Sequence, residues 1–286
     1  MRLLAVLLLG AAIAVGACGE DEEEPAGGAA AESTPAGASC ERAELETVQD
    51  GVLTVGTDKP AFPPYFVDDD PTNGKGFESA VAYAIARELG FEAGEVEWTV
   101  VPFNASYRPG PKDFDFDVNQ ISITPARAKR VDFSEPYYAA PQAVIATKGS
   151  PAAGASSLAD LQDASIGVQI GTTSLDAVST SIQPSDQPKV FDDSNAVVTA
   201  LKQGQVDAAV VDLPTALYLT AVEIPGASVV GQFDAPGGDE WGALLEKDSP
   251  LTPCVNEAIE TLRSSGELDE ITQEWMSESA DAPVLN

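Results

Sequence analysis

The chain has 286 residues, 46 of them Asp or Glu and 15 Lys or Arg, for a formal charge of −31. It has no histidine, which excludes a Ser-His-Asp triad, a Cys-His dyad and a His-ligated zinc site. The carboxylate excess argues against a nucleic-acid partner and against charge-driven adhesion to an anionic membrane, and the length allows about two domains.

Arg2 precedes an apolar run, Leu3 to Val15. That run is too short for the about 20 residues of a membrane span, and it reads as a secretory signal over 1–17. It ends in Val15-Gly16-Ala17-Cys18, which resembles the lipobox of bacterial lipoproteins and makes Cys18 the lipidation candidate. The alternative is an ordinary cleavage site with an incidental cysteine. Residues 18–39 continue as an acidic, then Ala/Gly/Pro/Ser/Thr-rich stretch without apolar periodicity. Such composition cannot offset its ordering entropy and is expected to be a disordered tether. With Cys18 lipidated, Cys40 and Cys254 are an even pair in an oxidising compartment, and a disulfide between them is expected.

From Gly51 onward strand and helix signals alternate. Val52 to Val55 reads as a strand. Phe77, Val81, Ala84, Ile85 and Leu89 fall at helical spacing with Gly90 as the stop. Val96 to Val101, Ala143 to Ala146, Ile166 to Val168 and Val206 to Val211 read as further strands. Ala196 to Leu201, Pro214 to Thr220, the face Val255, Ala258, Ile259 and Leu262, and the set Leu268, Ile271 and Trp275 read as helices. The alternation predicts an α/β protein with mainly parallel sheets, in which ligands bind beyond the carboxyl ends of the strands.

The residues after each strand are therefore the ones that could carry chemistry. In Ile121-Ser122-Ile123-Thr124-Pro125-Ala126-Arg127, Thr124 suits an N-cap and Pro125 the first helical position. Arg127 then falls in the first helical turn, where the dipole disfavours a cation unless an anion docks there. Its planar guanidinium could grip a carboxylate; otherwise it is a solvated arginine beside Lys129 and Arg130. Gly171-Thr172-Thr173-Ser174 is either a second anion-binding loop or a plain capped turn. Asp212 either accepts an ammonium or caps the helix that follows. Asp58 either holds a ligand side chain or caps a turn. Phe62, Tyr65 and Phe66 either cover a ligand or pack locally among prolines. Two anion sites, one arginine and one acceptor carboxylate together complement an α-amino acid.

The run Ile121 to Tyr138, ISITPARAKRVDFSEPYY, resembles the signature of family 3 extracellular solute-binding proteins, the polar amino-acid receptors of ABC importers. Gly56 to Pro64, Gly74 to Phe91, Ile166 to Ser174, Val206 to Ala216 and Leu262 to Trp275 resemble the family's other motifs, in the same order. The resemblance implies an α/β type II periplasmic-binding-protein fold, two lobes with a two-stranded hinge. Residues 40–143 and 234–286 would form lobe 1, and 144–233 lobe 2. It implies that Arg127, Ser122, Thr172 and Thr173 hold the ligand carboxylate and Asp212 its amino group. Phe62 would cover the ligand, with Tyr65 in the same aromatic loop, and Asp58 would contact side chains. Where the family has a small pair before ISIT, this chain has Asn119-Gln120; two long amides there narrow or re-polarise the pocket, which makes Gln120 a ligand contact. The stretch from 101 to 117 also departs from the family pattern. The implied partners are a small-molecule amino acid, importer permease subunits and, through lipid on Cys18, the outer face of the cell membrane, with a monomeric receptor and no metal or organic cofactor. A dehydratase-like enzyme on the same scaffold would need a general acid or base, for which Glu78 and Asp212 are the candidates. A ligand-sensing signalling domain is the other alternative.

Overall fold

A computed structural model describes residues 39–235, 239–276 and 282–286. The signal, lipidation and tether expectations, Cys18 included, lie outside these residues apart from the last position of the tether, residue 39. No helix among the described residues is long and apolar enough to cross a membrane.

The chain begins with β1 (Leu53–Thr57), α1 (Phe77–Glu88), β2 (Val96–Val100), the single turn α2 (Phe103–Ser106) and β3 (Phe116–Asp117). The turn α3 (Pro125–Ala128), β4 (Asp132–Phe133) and β5 (Tyr138–Ala139) follow. The chain then enters a second sheet through β6 (Gln142–Thr147), β7 (Ile166–Gln169), α4 (Thr173–Ala177), β8 (Lys189–Phe191), α5 (Ser194–Lys202), β9 (Ala208–Asp212), α6 (Leu213–Tyr218) and β10 (Ala227–Phe233). It returns through β11 (Glu240–Trp241) and β12 (Leu244–Leu245) to α7 (Thr252–Ser265) and α8 (Glu267–Met276).

Two five-stranded sheets result, ordered β2-β1-β3-β12-β4 and β10-β6-β9-β7-β8. Each has a parallel part, β2-β1-β3 and β9-β7-β8, as the alternating pattern predicts. Each also has antiparallel strands that the pattern does not reveal: β12 in the first sheet, β6 and β10 in the second. The antiparallel strands adjoin the two crossings between lobes. Beside the crossings, β5 and β11 form a separate antiparallel pair.

Each sheet buries both faces. In β6, Val144 and Ala146 join one core and Ala143 and Ile145 the other, the period-two alternation of a strand covered on both sides. In the first lobe Leu53, Val55, Phe116 and Val118 pack with α1, α7 and α8, while Phe114, Ile121, Val131 and Leu244 form a smaller cluster. Cys40 and Cys254 are joined by a disulfide that closes a 214-residue separation within this lobe.

The chain end departs from expectation. Sequence places residues 234–286 wholly in lobe 1, but 282–286 lie on the second sheet. Gln232 of β10 bridges Val284 in parallel, receives the Leu285 N–H at 2.8 Å and donates its own N–H to Pro283 at 2.7 Å. Leu285 is buried in a second-lobe core. Gly231 makes this possible, since a Cβ there would sit 2.6 Å from Leu285 Cγ and 2.7 Å from the Pro283 carbonyl. Gln142 and Ala143, placed at the end of lobe 1 by sequence, already belong to the second sheet through pairing with β9 and β10.

Candidate functional site

Between the lobes lies a cleft of about 480 Å³. Its walls are the segments that follow the strands. Asp58 follows β1, Asn119 follows β3, Thr172 and Thr173 follow β7, and Asp212 ends β9. Parallel strands aim their carboxyl ends at one edge of a sheet, so these residues converge although they are far apart in sequence. The lobes meet across the cleft. Ser122 Oγ lies 3.2 Å from Thr173 Oγ1, and Tyr65 Oη lies 2.8 Å from Thr215 Oγ1. Phe62 and Tyr218 approach with ring centroids 6.1 Å apart.

Of the residues singled out from sequence, Asp58, Phe62, Tyr65, Gln120, Ser122, Thr172, Thr173 and Asp212 all line this cleft. Their side chains differ in what they are already doing. Asp58 accepts the Lys59 N–H at 2.7 Å and the Phe103 N–H at 3.1 Å, so its carboxylate ties the end of β1 to α2. Gln120 has a positive φ of 48°, and Glu78 accepts both its backbone N–H, at 2.6 Å, and its side-chain amide. Thr172 caps α4, accepting from Leu175 N, and donates to Gln169 O. Asp212 stands at the N-cap of α6 but its side chain does not cap it; its Oδ1 accepts from Gln142 Nε2 at 2.6 Å.

Arg127 is the exception to the sequence expectation. It is not among the cleft-lining residues, and the helix it occupies is a single turn. One turn has little macrodipole, so the argument that this helix end attracts an anion loses its force. The guanidinium instead donates to the Ser122 carbonyl at 2.7 Å and, across the lobes, to the Gly171 carbonyl at 2.9 Å. Phe103 and Tyr107 cover it, with ring centroids 5.4 and 4.9 Å from the guanidinium carbon. The stretch from 101 to 117 thus supplies a cation–π cage for the arginine. Gly171 has a φ of +75°, which favours glycine, and a Cβ there would lie 2.4 Å from Tyr107 Oη, so any side chain at 171 would have to displace Tyr107.

Burial dominates the electrostatics. The Asp212 carboxyl is pushed up to about 7 by burial and by Asp239, against the pull of the Gln142 hydrogen bond and of Arg127. Glu78 is likewise raised to about 7 by burial, although Tyr137 and Gln120 donate to it. Burial holds Asp117 well above the carboxylate range, with Glu78 and Asp58 adding to the effect. Burial also lowers Arg127 from its ordinary value. Lone charges are costly in such surroundings, so the carboxyls are held toward their neutral form, while the Arg127 charge is met by two carbonyls and two aromatic rings.

Sequence reasoning marks the Asn119-Gln120 pair and the loop that holds Ser174, but it misses Gln142 and Asp239. Asn119 is 8% exposed and its Nδ2 has no partner among the described residues. Gln142, Ser174 and Asp239 form a buried network beside Asp212. Gln142 opens an apolar run, and its polarity inside that run was the one available signal.

The profile of the family described as bacterial extracellular solute-binding proteins, family 3, matches residues 53–278. The L-cystine-binding protein TcyJ of Escherichia coli K12 is 28% identical over 228 residues, covering 79% of this chain and 82% of that protein. Among solved structures, an ancestral arginine-binding protein bound to arginine aligns with a TM-score of 0.66 at 33% identity, covering 79% of this chain and 98% of the other. The ancestral amino acid-binding protein AncCDT-1, described as a precursor of cyclohexadienyl dehydratase, aligns with a TM-score of 0.64 at 30% identity, covering 79% and 95%.

Proposed function

The chain belongs to the family 3 bacterial extracellular solute-binding proteins, and we propose that it captures a polar L-amino acid between its two lobes for an ABC importer. One observation carries the reading. Hydroxyl donors from both lobes, Ser122 and Thr173, meet in the cleft with the Arg127 guanidinium behind Ser122, and a single glutamine side chain links neighbouring Ser174 to Asp212. Donors for a carboxylate and an acceptor for an ammonium thus line one cleft. Arg127 donates to two carbonyls and does not line the cleft, so it acts on the carboxylate by its charge, from behind Ser122. Phe62, Tyr65 and Asp58 bound the side-chain end. A ligand held by both lobes at once favours the closed form, which then docks on the permease.

In this reading the receptor is a monomer, tethered outside the cytoplasmic membrane by lipid on Cys18. It performs no chemistry. Glu78, the first candidate acid for a dehydratase, is fully buried behind Gln120 and Tyr137 and does not line the cleft. Asp212, the other candidate, lines the cleft, but in this reading it accepts the ligand ammonium, so a prephenate-like cyclic acid should not turn over. The experiment is a thermal-shift panel on residues 40–286, unfolded and refolded to strip bound solute, against each L-amino acid. A ligand of the folded state raises the melting point by mass action. A rise with one or two polar amino acids is expected; no rise with any would overturn the proposal.

A further inference from the structure

Gln142 is fully buried at the start of β6, where the chain first enters the second lobe. Every polar end of its amide is engaged. Nε2 donates to Asp212 Oδ1 at 2.6 Å and to Asp239 Oδ1 at 3.1 Å. Oε1 accepts from Ser174 Oγ at 2.5 Å. Chemistry fixes this orientation, because turning the amide over would set its oxygen against two carboxylates. The four residues come from four places. Asp212 ends β9 and faces the cleft; Ser174 lies in the first turn of α4 and also faces it. Asp239 lies on the return crossing, immediately before β11. Gln142 lies on the outward crossing.

We propose that Gln142 is the positioning residue of the amino-acid clamp: it aims the Asp212 carboxylate into the cleft and joins it to both chain crossings between the lobes. The inference rests on the amino-acid reading given above. Without the two N–H groups, Asp212 and Asp239 would be neighbouring buried carboxylates with no donor between them. Asp212 would then turn or take up a proton, and an ammonium would lose its acceptor. The groups acting on Asp212 are Asp239 on the return crossing, Glu78 on α1, Tyr65 in the aromatic loop and Arg127 on α3. Of these, Arg127 is the one cation.

The test uses the wild type, Gln142→Met and Asp239→Asn, with calorimetric titration of the amino acid found in the thermal-shift panel at a series of pH values. Wild-type affinity should fall as pH drops through the region where Asp212 takes up a proton. Gln142→Met keeps the bulk but not the hydrogen bonds. It should weaken binding about tenfold or more at neutral pH and move the pH midpoint upward. Asp239→Asn removes the like charge and should move the midpoint downward. A Gln142→Met protein that loses affinity equally at every pH, with an unmoved midpoint, or that binds like wild type, would overturn the inference. Absence of amino-acid binding in the wild type would instead defeat the reading on which it rests.

Discussion

At the residue scale, Asp117 sits on β3 with both carboxylate oxygens buried and unpartnered among the described residues, its Cγ pressed toward Gly56. A buried polar group without a hydrogen bond costs about 1–3 kcal/mol, and an apolar group of similar shape avoids that cost. Asp117→Leu should therefore stabilise the protein by about that amount, read as a higher urea midpoint at unchanged slope. Glu78 gives a pH prediction. Its folded value, about 7, lies above that of an unfolded carboxyl. Its contribution to stability is fully present below the unfolded value and is lost as pH rises through about 7. The melting point of the solute-stripped protein should fall between about pH 5 and about pH 8, and Glu78→Gln should flatten part of that slope. Asp212 supplies another part, for the same reason. Neither effect is legible in the sequence, where FDFDV and GFES give no sign that these acids are enclosed.

At the element scale, the five residues 282–286 are held by a strand-like pairing with β10, by hydrogen bonds from the Gln232 side chain to the Ala282 carbonyl and from the Leu158 N–H to the Asn286 carbonyl, and by the buried Leu285. Leu285 is 3% exposed, and its site exists because Gly231 lacks a side chain. Leu285→Ala should cost about 2 kcal/mol or more, and Gly231→Ala should release the same tail by displacing it. Limited proteolysis checks both, with cleavage near the C-terminus expected in each variant and not in wild type. This attachment was illegible because Val284-Leu285-Asn286 is too short to show a period. The long elements were legible because theirs is strong. Phe77, Val81, Ile85 and Leu89 face one core as their spacing predicts, and Val255, Ile259 and Leu262 do the same on α7. Two-residue strands such as β3, β5 and β11 carry no pattern of their own; β3 forms beside the longer β1, and β5 and β11 form by pairing with each other. The candidate site follows the same division. Asp58, Thr172 and Asp212 could be found because they end readable strands. Gln142, Asp239 and the Phe103–Tyr107 cage could not, because their roles arise from contacts between segments distant in sequence.

At the scale of the whole molecule, the −31 charge and the cleft chemistry concern different things. The surface carboxylates are screened within about 10 Å at ordinary salt, so they do little to select a ligand inside the cleft. Selection falls to the few groups that closure brings together. The disulfide joins Cys40 to α7 and so lies within the first lobe, leaving the second lobe to move. The central claim is that the cleft reads a carboxylate and an ammonium on one carbon. The most direct measurement is calorimetry of the solute-stripped wild type with its best L-amino acid and two analogues, one lacking the carboxylate and one lacking the amino group. Each analogue should bind about 100-fold more weakly or worse, because it leaves either the Ser122 and Thr173 hydroxyls or the Asp212 carboxylate in the closed cleft without the ligand group it complements. An analogue without its carboxylate that binds as tightly as the parent amino acid would contradict the account.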